Sequence, residues 1–69
     1  MKTTYLVENR MGEVLGWSTQ LCEAKRLGEH SDYRDNFKII KVVGPNRCEG
    51  RHEYALQYDG KRYKKTKFT

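Results

Sequence analysis

At 69 residues, with 36% hydrophobic and 33% charged residues, the chain is expected to form one domain over residues 1–69 with a small core. A body this small speaks against a deep pocket enclosing a substrate and favours a surface that binds something larger. The net charge of +5 is uneven: residues 1–50 hold eight Lys/Arg against seven Asp/Glu (+1), and residues 51–69 hold six against two (+4), so an anionic partner is expected at the C-terminal end.

TTYLVEN, residues 3–9, alternates, with Tyr5 and Val7 on one side and Leu6 on the other. It predicts a strand that turns at RMGE, where Gly12 can take a positive φ. EVLGW, residues 13–17, predicts the return strand of a hairpin. Ser18 or Thr19 can accept hydrogen bonds from the first free amides of a helix, and TQLCEAKRLGEH, residues 19–30, supplies that helix. Leu21, Ala24 and Leu27 or Gly28 form a narrow apolar stripe, with Gln20, Glu23, Arg26 and His30 on the other side.

FKIIKVVG, residues 37–44, is the most apolar run, and its β-branched content predicts a central strand buried on much of both faces. GPNRCEG, residues 44–50, reads as a loop. HEYALQY-DG-KRYKKTKF, residues 52–68, reads as a hairpin, because Asp-Gly is the strongest short turn signal. The order β-β-α-β-β-β predicts an α+β fold, an antiparallel or mixed sheet with one helix packed on one face. With only one helix to cover it, the sheet is expected to leave its other face partly exposed.

A two-residue turn at Asp59-Gly60 pairs Tyr58 with Lys61 and Leu56 with Tyr63. Tyr54, Leu56, Tyr58 and Tyr63 then share a core face, and Ala55, Gln57, Arg62, Lys64 and Thr66 share the opposite one. A bulge at Gly60 would flip one strand against the other. Separation of tyrosines from cations argues against bases stacking on Tyr and favours a positive ridge. The competing reading is edge protection, since lysines on an edge strand discourage strand addition. Lys25 and Arg26, adjacent on the helix, diverge by about 100° and flank the buried stripe, which also fits a plain solvated helix face.

Cys48 and His52 have plausible metal-ligand spacing, but Cys22 and His30 do not, and the close pairs of a structural zinc site are missing. Cys22 is expected to pack beneath the helix. Trp17 and Tyr33 are candidate anchors for a protein partner, with Trp17 read as core. The chain holds no nucleophile elbow, phosphate-cradling glycine loop or H-E-x-x-H motif, so no enzyme, no cofactor, no metal and no small-molecule substrate are expected. Two cysteines, an opening without a signal-like apolar run, and no segment near the roughly 20 apolar residues of a membrane span predict a cytoplasmic protein with reduced thiols.

The opening MKTTYLV, the helix segment EAKRL and the closing YALQYDGKRY together resemble a family of phage-encoded anti-CRISPR proteins, the ninth group of inhibitors of type I-F surveillance complexes. The shared pattern is M-K-x-x-Y-aliphatic, then A-K-R-aliphatic, then A-x-x-x-D-G-K-R-aromatic, covering both ends and the helix, about half the chain. Residues 10–17 and 44–52 have no counterpart.

The resemblance implies an inhibitor that lies on the Cas7-like backbone subunits of a guide-RNA complex in a host bacterial cell. There it would block target-DNA hybridisation and draw double-stranded DNA nonspecifically onto the complex. Lys25, Arg26, Lys61 and Arg62 occupy the matching positions and are implied contacts. Lys64 and Lys65 are an addition here: Lys64 joins the partner-binding set, and Lys61, Arg62, Lys64 and Lys65 form the candidate DNA-binding set. The physics is compatible, because a basic inhibitor is no simple DNA mimic and leaves cations free for phosphates. Two alternatives are a freestanding basic nucleic-acid-binding domain and a phage inhibitor of another host machine such as RNA polymerase.

Overall fold

The computed structural model describes residues 2–32, 34–45 and 49–67, and its elements are β1 (Lys2–Asn9), β2 (Val14–Ser18), α1 (Leu21–Glu29), β3 (Phe37–Gly44), β4 (Arg51–Tyr58) and β5 (Tyr63–Lys67). They build one five-stranded sheet in the order β2-β1-β3-β4-β5, with every pairing antiparallel. The most apolar strands take the middle, as burial on both faces requires. β1 and β3 pair along their full length, from Lys2 opposite Gly44 to Asn9 opposite Phe37.

The β1–β2 turn is organised by a buried side chain. The Asn9 Oδ1 accepts the backbone N–H of Met11 at 2.9 Å and of Glu13 at 3.0 Å, while Gly12 takes φ +86°. The turn expected at RMGE is therefore held from its N-terminal side by an asparagine that mimics backbone. At the helix start, Ser18 Oγ accepts the Gln20 N–H at 3.1 Å and donates to the Glu23 carboxylate at 3.1 Å. Ser18, one of the two expected capping residues, thus secures the first turn from just outside it. Ser31 Oγ donates to the Gly28 carbonyl at 2.7 Å and closes the other end.

The helix lies over β2, β1 and β3. Ala24 on its inner face packs with Val7, Phe37 and Ile39 of the sheet, all fully buried, with Leu15, Leu21, Leu56, Tyr58 and Tyr63 packed around them. Of the two residues proposed to complete the stripe, Gly28 is buried and Leu27 is exposed. Gly28 is needed for contact: a Cβ there would come within 2.2 Å of Phe37 Cε2.

The far face is buried at its centre and exposed toward β5. Leu6, Ile40, Val42 and Ala55 form a second buried cluster there, and no helix among the described residues covers it. The backbone just before β4 does part of the covering, since a Cβ on Gly50 would lie 2.1 Å from Val42 Cγ1. Glu8 and Lys38, cross-strand partners in an ion pair at 3.7 Å, stand at the other end of this face. One small domain therefore carries two thin apolar layers, one on each side of the sheet.

Three readings change. The last hairpin closes on Tyr58 opposite Tyr63, two residues later than the Asp-Gly turn implies, so Leu56 faces Lys65 rather than Tyr63. Trp17 is 48% exposed rather than core, because β2 ends the sheet and leaves it at the rim. Cys22 is exposed, on the outer side of the helix rather than beneath it. Tyr33, Cys48 and Phe68 lie outside the described residues.

Candidate functional site

The helix stops short of β4 and β5, so the helix-side surface of these strands carries its own cover. At one end it is aromatic. Phe37, Tyr58 and Tyr63 cluster with tilted and edge-on rings, their centroids 5.1 Å apart for Phe37–Tyr58, 6.1 Å for Phe37–Tyr63 and 4.5 Å for Tyr58–Tyr63. Farther along, Tyr54 belongs to the same face. The four apolar hairpin residues thus share a side as expected, because a register shift of two residues preserves which way each side chain points.

The cations do not keep to the opposite side. Lys25 Nζ lies 4.6 Å from the Tyr63 ring centroid, Lys65 Nζ lies 4.5 Å from that of Tyr54, and Lys41 Nζ lies 5.4 Å from Tyr54. These are cation–π distances. Along β5, then, Lys25 over Tyr63 is followed by Lys65 over Tyr54, with Lys41 on the other side of that ring. The separation of tyrosines from cations inferred from the two-residue turn is overturned. What stands on the helix side of β3–β5 is a band of alternating rings and ammonium groups.

Lys61 and Arg62 lie at the end of this band, in the loop between β4 and β5. Asp59 Oδ1 accepts the N–H of Lys61 at 2.9 Å and of Arg62 at 3.0 Å, and Gly60 takes φ +96°. These backbone bonds, that of Arg62 foremost, hold the Asp59 carboxyl below the usual carboxylate range. They also fix the loop while leaving both basic side chains exposed. Lys64 projects from the opposite face, in the row of Gln57 and Lys38. Arg26 points away from Lys25, over the rim of β2 beside Trp17 and Leu27. Of the expected contacts, Lys25 and Lys65 stand over rings of the band and Lys61 and Arg62 occupy the loop at its end, whereas Arg26 and Lys64 stand apart from it.

Neither Lys41 nor Tyr54 was expected among the contact residues: Lys41 was read within the central strand and Tyr54 on the core face of the hairpin. Lys41 follows Phe37 and Ile39 at the inward positions of β3, and a lysine in that phase is the signal that could have found it. Its ammonium pairs with Glu53 at 3.2 Å, and this hydrogen-bonded partner raises its pKa. Arg51 reaches the same carboxylate at 3.7 Å. Burial, followed by its neighbour Tyr5, pushes the Tyr54 phenol up. Burial also raises the Tyr63 phenol well above the usual range, reinforced by donation to the Glu29 carboxylate at 2.6 Å. Both hydroxyls therefore stay protonated at neutral pH and can act as donors.

Among the described residues, no group of three or more His, Cys, Asp or Glu is arranged to hold a metal ion, and no helix is long and apolar enough to cross a membrane. The chain matches no family model, no curated protein and no solved structure with which it was compared.

Proposed function

We propose that this protein is an anti-CRISPR-like inhibitor that binds the Cas7-like backbone subunits of a type I-F guide-RNA surveillance complex and blocks hybridisation of target DNA. The observation that carries this reading is a junction. The helix motif A-K-R and the hairpin motif D-G-K-R-aromatic, far apart in the chain, meet where Lys25 sits 4.6 Å from the Tyr63 ring. Two motifs that each mean little alone are parts of one surface, with Lys61 and Arg62 beside them.

In this reading Lys25, Lys61 and Arg62 make the partner contact, through local acidic patches and carbonyl oxygens of the backbone subunits. Lys65 extends the contact along the band, and the cations left over engage the phosphates of a passing duplex. Arg26 and Lys64, on other surfaces, are secondary. The complex would be met in the cytoplasm of a host bacterial cell. Co-purification of the tagged protein with a type I-F complex, together with protection of phage in plaque assays, tests the proposal. Neither outcome would be obtained if the reading is wrong.

A second reading has its own support. Lys41 and Lys65 flank the Tyr54 ring, a pattern suited to phosphates and bases of a free nucleic acid without any protein partner. Gel shifts with duplex and single-stranded probes over a salt series separate the two. A freestanding binder retards probes at low salt without the complex.

A further inference from the structure

The two ends of the sheet are built differently. β5 ends one side with the sequence YKKTK, three lysines in five residues, which discourages strand addition. β2 ends the other with VLGWS, which has no charge at all. Around it the exposed large side chains gather: Val14 is 56% exposed, Trp17 48% and Leu27 41%. Leu27 lies against Gly16, whose missing side chain admits it: a Cβ there would be 3.2 Å from Leu27 Cδ1. Between the rim of β2 and the helix runs a shallow groove of about 520 Å³, lined by Trp17, Ser18, Glu23, Arg26, Leu27 and His30.

We infer that the β2 edge is a self-association surface, where a second copy of this chain adds its own β2 antiparallel to form a continuous ten-stranded sheet about a two-fold axis. Charge selects this occupant. Glu23 and Arg26 lie one turn apart on the helix side that lines the groove. A two-fold axis perpendicular to the sheet keeps both helices on the same side and runs them antiparallel, so that Glu23 of each copy faces Arg26 of the other. Opposite charges three residues apart are thus complementary to themselves.

The net charge does not oppose the contact either. Residues 51–67, with six Lys/Arg against two Asp/Glu, carry +4 of the +5, and they build β4, β5 and their loop, at the far end of the sheet. Strand addition would cover Val14, Trp17 and Leu27, the exposed large side chains of this rim, in the same step. This surface is separate from the Lys25–Tyr63 band, so its use does not rest on the function proposed above.

Sedimentation equilibrium of the full chain over roughly 1–500 µM tests the inference. A reversible monomer–dimer equilibrium is expected, with Val14→Lys and Trp17→Lys each raising the dissociation constant at least about tenfold. Glu23→Arg and Arg26→Glu should each be monomeric alone and should form a heterodimer when mixed. Circular dichroism of each variant shows that the monomer is folded. A monomer at every concentration, or open polymers instead of a closed dimer, overturns the inference. So does failure of the mixed charge variants to pair while each remains folded.

Discussion

The Tyr63 hydroxyl donates to the Glu29 carboxylate at 2.6 Å, joining the last turn of the helix to a strand that the helix backbone does not touch. Together with Lys25 over the same ring, this is how β5 is tied to the rest of the molecule on the helix side. Tyr63→Phe keeps the ring and deletes the donor. It should lower unfolding stability by about 1 kcal/mol at neutral pH, a modest loss because Glu29 is exposed and can be rehydrated.

The same pair sets an alkaline dependence. Because the folded-state pKa of Tyr63 is raised, its contribution is fully present below the unfolded phenol value of about 10, and it declines as pH rises from there toward the folded value. Tyr54 and Lys41, also raised, add terms of the same sign, but those remain in the variant. Denaturant melts from pH 8 to pH 11 should therefore show a shallower alkaline loss for Tyr63→Phe than for the parent. Equal slopes would mean that the Tyr63 proton is not held by the fold.

Gly28→Ala sets two effects against each other. Helix propensity favours alanine by about 1 kcal/mol in an exposed helix interior. Here the new Cβ would meet the Phe37 ring at 2.2 Å, and that ring is fully buried among Ile39, Tyr58 and Tyr63. Overpacking of this kind costs about 1–3 kcal/mol or more, so the clash should win and the melting temperature should fall. A stabilised Gly28→Ala protein would show that the helix can lift from the sheet without loss.

Asp59 should act through its acceptor oxygen. Asp59→Ala removes the partner of two loop N–H groups, whereas Asp59→Asn retains an oxygen in the same place. The alanine variant is expected to be less stable than the asparagine variant at pH 7. The folded-state carboxyl pKa is lowered, so the charge-dependent part is present above the unfolded value of about 4 and is lost as pH falls through the folded one. Acid titration of the parent and Asp59→Asn followed by thermal melts checks both signs: only the parent should show this acid loss.

Much of the fold was legible because its signals are local. The apolar run of Phe37–Gly44, rich in β-branched residues, coincides with β3, and the Gly12 and Ser18 roles follow from backbone geometry. The register of the last hairpin did not follow, because the Asp59 side chain caps the N–H groups of Lys61 and Arg62 and stabilises a four-residue loop over the two-residue turn. Alternation within β4 and β5 survived the shift, which is why Tyr54, Leu56, Tyr58 and Tyr63 were still grouped correctly.

The site was less legible. Lys65 pairs opposite Leu56, and Lys41 comes from a strand read only as core, so their approach to Tyr54 depends on tertiary placement. Trp17 and Cys22 were misread for a related reason. Periodicity identifies an apolar residue but not whether its strand ends the sheet or which side of a short helix faces out.

If the cationic band contacts duplex DNA, its salt dependence has a predictable size. Engagement of one phosphate each by Lys25, Lys61, Arg62 and Lys65 corresponds to a slope of log K against log salt of about −3.6. Substituting any one of the four by Gln should reduce that slope by about 0.9, whereas Lys64→Gln, on the opposite face, should leave it nearly unchanged. Fluorescence anisotropy over a salt series measures both.

The inhibition proposed for the junction of helix and hairpin is read out by target-DNA hybridisation to a purified type I-F surveillance complex. The parent protein should abolish hybridisation when added before DNA. Lys25→Glu combined with Lys61→Glu and Arg62→Glu, folded by circular dichroism, should restore it. Unimpaired hybridisation at saturating parent protein would exclude the proposed inhibition.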